Sequence, residues 1–507
     1  MPNSKETVNL ILLLHLILNR EKNGENMSKR GITKTALALV AVVIIVVAVV
    51  AAYFVITPPT PPAPPTPPKK VTWATIAGFY TDWAEAISKD FTAKTGIEVE
   101  VMGIDYGVMY EKQMLELAGK TGAFDLVTVE TMCLAEWASA GWLEPLDSYI
   151  EKTPTEEIQY EDILEHYRWL LSWGGKVYGL PYYTYDQGVF YRADLFERED
   201  IKALYMKTYG HELRKPNHEM TWDEWLNIAK FFDEVVPDDI MQYGVGLMAG
   251  PVESNDEWMA IMWGLGGDHF DKDYNIIVNR TEGVRAMEIY CEALKHAPPG
   301  ALASSYDEVV AQMQHGLIPM TGPFYLDQWP NMVKTEKLIP GAKMGIGTPV
   351  GGRGYIGCFA LSIDAASKSK DAAWDFLKWL AGPEGQYSFA KGGGTTCRKS
   401  VLLNPEFDPD KNPATYPYTA HYKNIVAISE LLLETAPAWQ RPPRIFKLPK
   451  AGTMYLESKI SIGDIAAGHM TPKGGMDHLA LAYATILGWG YPVPSMSPPK
   501  GWVPPPE

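Results

Sequence analysis

Residues 71–102 read VTWATIAGFYTDWAEAISKDFTAKTGIEVEVM, and this stretch decides the fold. Val71–Ala77 is rich in β-branched and aromatic side chains and predicts a strand. Over Thr81–Lys94 the apolar positions Trp83, Ala84, Ile87 and Phe91 fall on one face of a helix, and Gly96 stands where a helix C-cap needs a left-handed residue. Alternation returns at Ile97–Met102, a second strand. Met109–Ala118 predicts a second helix, Phe124–Val129 a third strand, and Cys133–Ala140 a third helix stopped by Gly141. Strands alternating with helices imply a parallel sheet with right-handed crossovers. Ligands of such sheets lie beyond the carboxyl ends of the strands. That places Gly78, Phe79 and Tyr80, then Tyr106, then Glu130 and Thr131 around one mouth.

Upstream, Ala36–Ile56 carries no charge and is dominated by Val, Ile, Leu and Ala. At ~1.5 Å per residue it spans roughly 30 Å, the thickness of a bilayer's hydrocarbon core. Lys29, Arg30 and Lys34 precede it, which predicts a cytoplasmic N-terminal side and places the bulk of the chain outside. The expectation is a leader at 1–35, a single transmembrane anchor at 36–56 and a proline-rich linker at 57–70; a cleaved secretory signal is the rival. Met27 opens a more normal leader than Met1, so 1–26 is expected to be untranslated. Thr57–Pro68 reads TPPTPPAPPTPP, which excludes helix and sheet and predicts an extended stalk on the order of 35 Å long. A second proline-rich piece, 491–507, closes the chain without a reading of its own.

The formal net charge of −16 argues against general nucleic-acid binding, which needs a basic stripe. Sixteen Trp and 27 Tyr permit a site built from flat rings, suited to solutes with apolar and hydroxyl faces. Cys133, Cys291, Cys358 and Cys397 form no CxxC pair; disulfides and free thiols both stay open. The D-x-D-x-N of Asp271–Asn275 lacks the glycine a calcium loop needs, and reads as a turn. Asn279-Arg280-Thr281 is a glycosylation sequon if the domain is outside. There is no G-x-S-x-G, H-E-x-x-H or Walker A motif, and histidines such as His166, His211 and His315 are scattered. No cofactor and no metal is expected. A glycosidase pair stays open among the many carboxylates, with no particular pair indicated.

Several blocks in order resemble the sugar-binding, maltose-binding-protein-like class of extracellular solute-binding proteins. They are Phe124–Val127 with Ala138–Asp147, Gly175–Tyr182 (GKVYGLPY), Phe190–Phe196, Thr221–Glu224 (TWDE), Gly264–Gly267, Met320–Phe324 (MTGPF) and Ser362–Leu380. Thr221 with Glu224 three residues on is also a capping box in its own right. The short Lys29-Arg30-Gly31 resembles the prepilin-type signals of some archaeal binding proteins, which keep the apolar segment.

The resemblance implies an α/β fold of two lobes joined by a hinge, as in periplasmic binding proteins. Lobe one is expected at 70–183 and 345–390, and lobe two at 188–340 and 391–490. Matching positions carry over a site of Gly78, Phe79, Tyr80, Glu130, Thr131, Tyr182, Tyr185, Asp186, Asn255, Trp258, Phe324, Tyr325, Gly357 and Cys358, besides Tyr106. Where some maltose binders put Asp and Lys after the first strand, this chain has Gly78-Phe79, so maltose itself is in doubt. The implied function is an extracytoplasmic receptor, not an enzyme, that delivers a carbohydrate to ABC permease subunits as a monomer tethered to the bilayer. The alternatives are an anchored polysaccharide hydrolase and a receptor for a non-sugar solute such as a peptide.

Overall fold

The computed structural model describes residues 69–251, 253–490 and 495–505, with four helical residues, Ala41, Val42, Ile45 and Val46, further upstream. The chain divides into two units, 1–67 and 68–507. Apart from those four residues, the leader, the anchor expected at 36–56 and the proline stalk lie outside the described residues. Among the described residues no helix is long and apolar enough to cross a membrane.

The second unit begins with the βαβ pattern expected from residues 71–102. Strands β1 (Lys70–Ile76), β2 (Glu98–Ile104) and β3 (Leu126–Glu130) run parallel, β1 in the middle. Helix α1 (Phe79–Thr95) ends at Gly96 in the left-handed conformation, φ 73°, where a side chain would be strained. Helix α2 (Tyr106–Gly119) is capped by Asp105, whose side chain accepts from the Gly107 amide, and α3 (Thr131–Ser139) follows β3 directly. A small hairpin, β4 (Ser172–Trp173) and β5 (Lys176–Val177), leads into β6 (Leu180–Thr184). The first sheet is completed by β6 and by a late strand running antiparallel between β3 and β6.

After β6 the chain crosses through Tyr185 and Asp186 into a second sheet, led by β7 (Gln187–Arg192). Two antiparallel partners flank β7: β8 (Phe324–Tyr325) and β9 (Met344–Gly347). The return is made by 348–357, after which β10 (Cys358–Ile363) enters the first sheet between β3 and β6. The fold is therefore the two-lobed α/β architecture, its two sheets joined by these two crossings. The return falls later than the expected 345, because β9 pairs with β7 in the second sheet.

Each lobe has its own aromatic core. In the first, Trp73 packs edge-on against Tyr182 at 5.6 Å and against Phe376 at 5.5 Å. In the second, Phe190 meets Phe324 at 5.9 Å and Trp329 at 6.0 Å. Helix α4 (Glu165–Leu170) lies beside the crossing. Helix α5 (Trp222–Glu234) starts at the expected capping box: the Glu224 amide donates to the Thr221 hydroxyl at 3.2 Å, and the Thr221 amide to Glu224 at 2.8 Å. Helices α6 (Ser254–Gly264) and α7 (Thr281–Leu294) complete this lobe's core.

The C-terminal helices α8 (Tyr422–Thr435), α9 (Ala451–Ala466) and α10 (Pro472–Ile486) do not belong to the second lobe alone. Helix α9 packs on α6 and also on α3, where Glu136 accepts from the Thr453 amide at 3.0 Å and from its hydroxyl at 3.1 Å. Helix α8 packs on α4, with His166 and Ser429 in contact at 3.0 Å. Of the tail, 495–505 folds back: the Ile276 amide donates to the Met496 carbonyl, and Trp502 lies against Trp489 and Tyr274. The Asp271–Asn275 segment is a turn, with Asp271 accepting from the Asp273 and Asn275 amides. All four cysteines are free thiols.

Candidate functional site

A cavity of about 340 Å³ opens between the lobes. Its first wall comes from the carboxyl ends of β1, β2 and β3, where an open α/β sheet binds ligands. β1 delivers Ile76, Ala77 and Gly78; the last, at φ 80° and ψ −136°, takes a conformation open to glycine and turns the chain into α1. Tyr80, Asp105, Tyr106, Glu130 and Phe359 complete this wall. The opposite wall is Glu253, Asp256, Tyr306, Tyr325, Asp327 and Gln328, with Tyr185 at the crossing between them.

The rings form a connected floor. Tyr185 lies 4.7 Å from Phe359 and edge-on to Tyr325 at 6.0 Å, and Tyr80 meets Phe359 at 5.6 Å. Phenols then fix the carboxylates. Tyr106 donates to Oε1 of Glu130 at 2.6 Å. Tyr325 and Tyr455 donate to the two oxygens of Asp256 at 2.7 and 2.6 Å. Tyr183 donates to Oδ2 of Asp327 at 2.6 Å, and the Gln328 amide to the same oxygen at 3.1 Å.

Burial governs the electrostatics of the second wall. It raises the Asp256 carboxyl to about 6 against the pull of the Lys459 ammonium and the two phenols. It raises Asp327 to about 6 despite Tyr183 and Gln328. Glu253 rises to about 7, first through burial and then through the Asp256 charge. Such acceptors and rings can grip hydroxyls and cover C–H faces; carboxylates accept and do not donate when ionised.

Six residues expected from sequence line the cavity: Gly78, Tyr80, Tyr106, Glu130, Tyr185 and Tyr325. Phe79 opens α1 beside Gly78. The others lie elsewhere. Trp258 is fully buried, its indole donating to the Gly283 carbonyl at 3.2 Å. Phe324 is core to β8, and Asn255 is buried with its oxygen accepting from Ser458. Tyr182 stacks parallel on Trp83 at 5.7 Å and bonds Thr128. Thr131 is buried in the first turn of α3.

Asp186 is the knot of the hinge: it accepts from Tyr167 at 2.7 Å and from the Gly357 amide at 3.1 Å, and contacts His166 at 3.2 Å. Gly357 is buried at the end of the return crossing, and Cys358 is buried as the first residue of β10. A Cβ on Gly357 would fall 2.2 Å from the Tyr185 ring, so this glycine makes room for a ring that lines the cavity.

Sequence reasoning missed Asp105, Glu253, Asp256, Tyr306, Asp327, Gln328 and Phe359. Asp256 stands one residue from Asn255, and Asp327 two from Tyr325. The N-cap signal at Asp105, ahead of the helix after β2, was available to find the first of them.

A two-lobed α/β chain with two crossings and a cleft walled by both lobes is the architecture of a hinged binding protein. Residues 73–387 match the family of bacterial extracellular solute-binding proteins, and the chain belongs to that family. The mannitol-binding protein of Pseudomonas aeruginosa is 26% identical over 285 residues, which cover 54% of this chain and 60% of that protein. A probable amino-acid ABC transporter periplasmic-binding protein of Sinorhizobium fredii is 26% identical over 332 residues, 63% of this chain and 70% of its own length. An ABC transporter solute-binding protein from Agrobacterium radiobacter K84, solved in complex with ribitol, shares the fold with a TM-score of 0.64 at 22% identity, over 81% of this chain and 97% of that one.

Proposed function

We propose that the chain is the extracytoplasmic receptor of an ABC importer and captures a polyhydroxy solute, a sugar or sugar alcohol, in the interlobe cleft. The observation that carries this is a cavity whose two walls both offer carboxylates oriented by phenols, beside a floor of aromatic rings. Acceptors in that arrangement match a ligand that presents many hydroxyl hydrogens along an apolar ring or chain. The names of the mannitol-binding and ribitol-bound relatives support the same class. Binding would bias the chain toward closure about Tyr185–Asp186 and 348–357, and the closed form would dock on the permease. The uncharged 36–56 run with its basic flank supports a single membrane anchor, with the cleft held outside on the proline stalk.

The amino-acid receptor suggested by the Sinorhizobium relative's name is the weaker reading. An amino acid's carboxylate wants a cationic partner, and no Lys, Arg or His is among the residues lining the cavity. The test is thermal unfolding of the full-length chain against sugars, sugar alcohols, amino acids and peptides, with recovery of the stabilising compound. A rise in Tm with a sugar or polyol recovered intact supports the receptor. Stabilisation by amino acids or peptides alone replaces the solute class, and a cleaved product shows a hydrolase.

A further inference from the structure

The cleft's charges are one-sided. Asp105, Glu130, Glu253, Asp256 and Asp327 line it, and no cationic side chain does. The nearby Lys459 is not a lining residue; its ammonium sits over the rings of Tyr455 at 4.6 Å and Tyr106 at 5.7 Å. Three of the acids are strongly buried, with Glu253 8%, Asp256 4% and Asp327 9% exposed. Buried carboxylates are ordinarily paired and hydrogen-bonded, and here the phenols and the Lys459 charge offset only part of the burial, leaving Asp256 and Asp327 at about 6 and Glu253 at about 7. A neutral solute adds donors to that wall but no positive charge.

One acceptor is also vacant. Asp327 lines the cavity, and its Oδ1 is buried without a hydrogen-bond partner, while its sister oxygen takes both Tyr183 and Gln328. A vacant carboxylate oxygen asks for a donor, and an ammonium group brings three. The aromatic residues Tyr185 and Tyr325 line the same cavity. The acids do not converge as a metal site: among the described residues no group of three or more His, Cys, Asp or Glu could hold a metal ion. Spread carboxylates fit an extended organic cation better than an ion of atomic size.

We propose that the solute is an amino-bearing polyol or amino sugar, its protonated amine on the wall that carries Glu253, Asp256 and Asp327 and its hydroxyls toward Tyr106 and Glu130. This rests on the polyhydroxy reading of the cleft and narrows it. The cost that burial and the Asp256 charge impose on Glu253 is relieved by a cation on that wall.

Matched pairs separate the amine from the skeleton. The full-length chain, in a detergent without a sugar headgroup, is titrated calorimetrically at about pH 7.5 with glucamine against sorbitol, glucosamine against glucose, and 1,4-diaminobutane. The expected result is that an aminated member binds at least about tenfold tighter than its neutral twin, and that Asp327→Asn shrinks the ratio several-fold. Should that variant fail to fold, Glu253→Gln reads the same ratio. Equal or tighter binding of the neutral twins overturns the amine and leaves the polyhydroxy reading intact. Binding of diaminobutane alone, or of no compound in the panel, overturns both. A ratio untouched in a folded Asp327→Asn or Glu253→Gln chain overturns the placement of the amine.

Discussion

Tyr183, in the strand that leaves the first lobe, donates its phenolic hydrogen to Oδ2 of Asp327 in the second lobe at 2.6 Å. The bond ties the lobes behind the cavity and orients a carboxylate that lines it. Tyr183→Phe removes a donor from a buried acid and should cost about 1–3 kcal/mol of stability. Chemical denaturation of the folded variant checks this; an unchanged midpoint and slope would show the tie to be idle.

Trp258 was expected at the solute and instead fills the second lobe's core. Trp258→Ala should therefore destabilise by about 3–5 kcal/mol through the cavity it leaves. The Kd of the molecules that remain folded should stay within about twofold. A large loss of affinity with little loss of stability would return Trp258 to the binding surface.

Gly357→Ala acts through one contact. The added methyl meets the Tyr185 ring at 2.2 Å and must displace it. Since Tyr185 lines the cavity, affinity should fall by about tenfold or more, a loss that Gly463→Ala, where a Cβ meets open space, should not reproduce. Equilibrium titration of the two variants provides the comparison.

Buried acids predict a falling stability above neutrality. Glu257 is held by the Met248 amide and the Tyr290 phenol, yet burial raises it from 4.5 to about 8. The unfolded carboxyl loses its proton first, so the native state binds more protons in between, and stability drops as pH rises toward 8. His269 and His421, lowered by burial to about 3, act in the opposite sense only below their unfolded value of 6.5. Between pH 6.5 and 8 the unfolding free energy should fall by up to about 2 kcal/mol on account of Glu257, and Glu257→Gln should flatten the profile. A profile equally steep in the variant would contradict this.

The first lobe was legible because its period changes from two to 3.6 and back between Val71 and Met102, with Gly96 punctuating the helix. The capping box at Thr221 was legible for a similar local reason. The cleft was legible at strand ends, where topology alone brings Gly78, Tyr106 and Glu130 together.

It was not legible on α6, because every residue from Ser254 to Trp263 is buried and no polar face shows which side meets the cleft. Asn255 and Trp258 point into protein, while Asp256 and the N-cap Glu253 reach the cavity. Strand alternation resolves the similar ambiguity at β8, with Phe324 inward and Tyr325 on the cleft, but only once the strand is placed. The long C-terminal segment was misassigned because its helices touch both lobes, a relation no local pattern encodes.

The proposed receptor holds its solute in one cleft built from both lobes. The most direct test of this is calorimetric titration, with the stabilising sugar or polyol, of the natural chain and of a double variant altered once on each wall, Glu130→Gln with Tyr325→Ala. The expected result is a loss of about a hundredfold or more in affinity while the fold persists, since each change removes about 1–3 kcal/mol of contact. Undiminished affinity in a folded double variant would place the solute elsewhere and contradict the account.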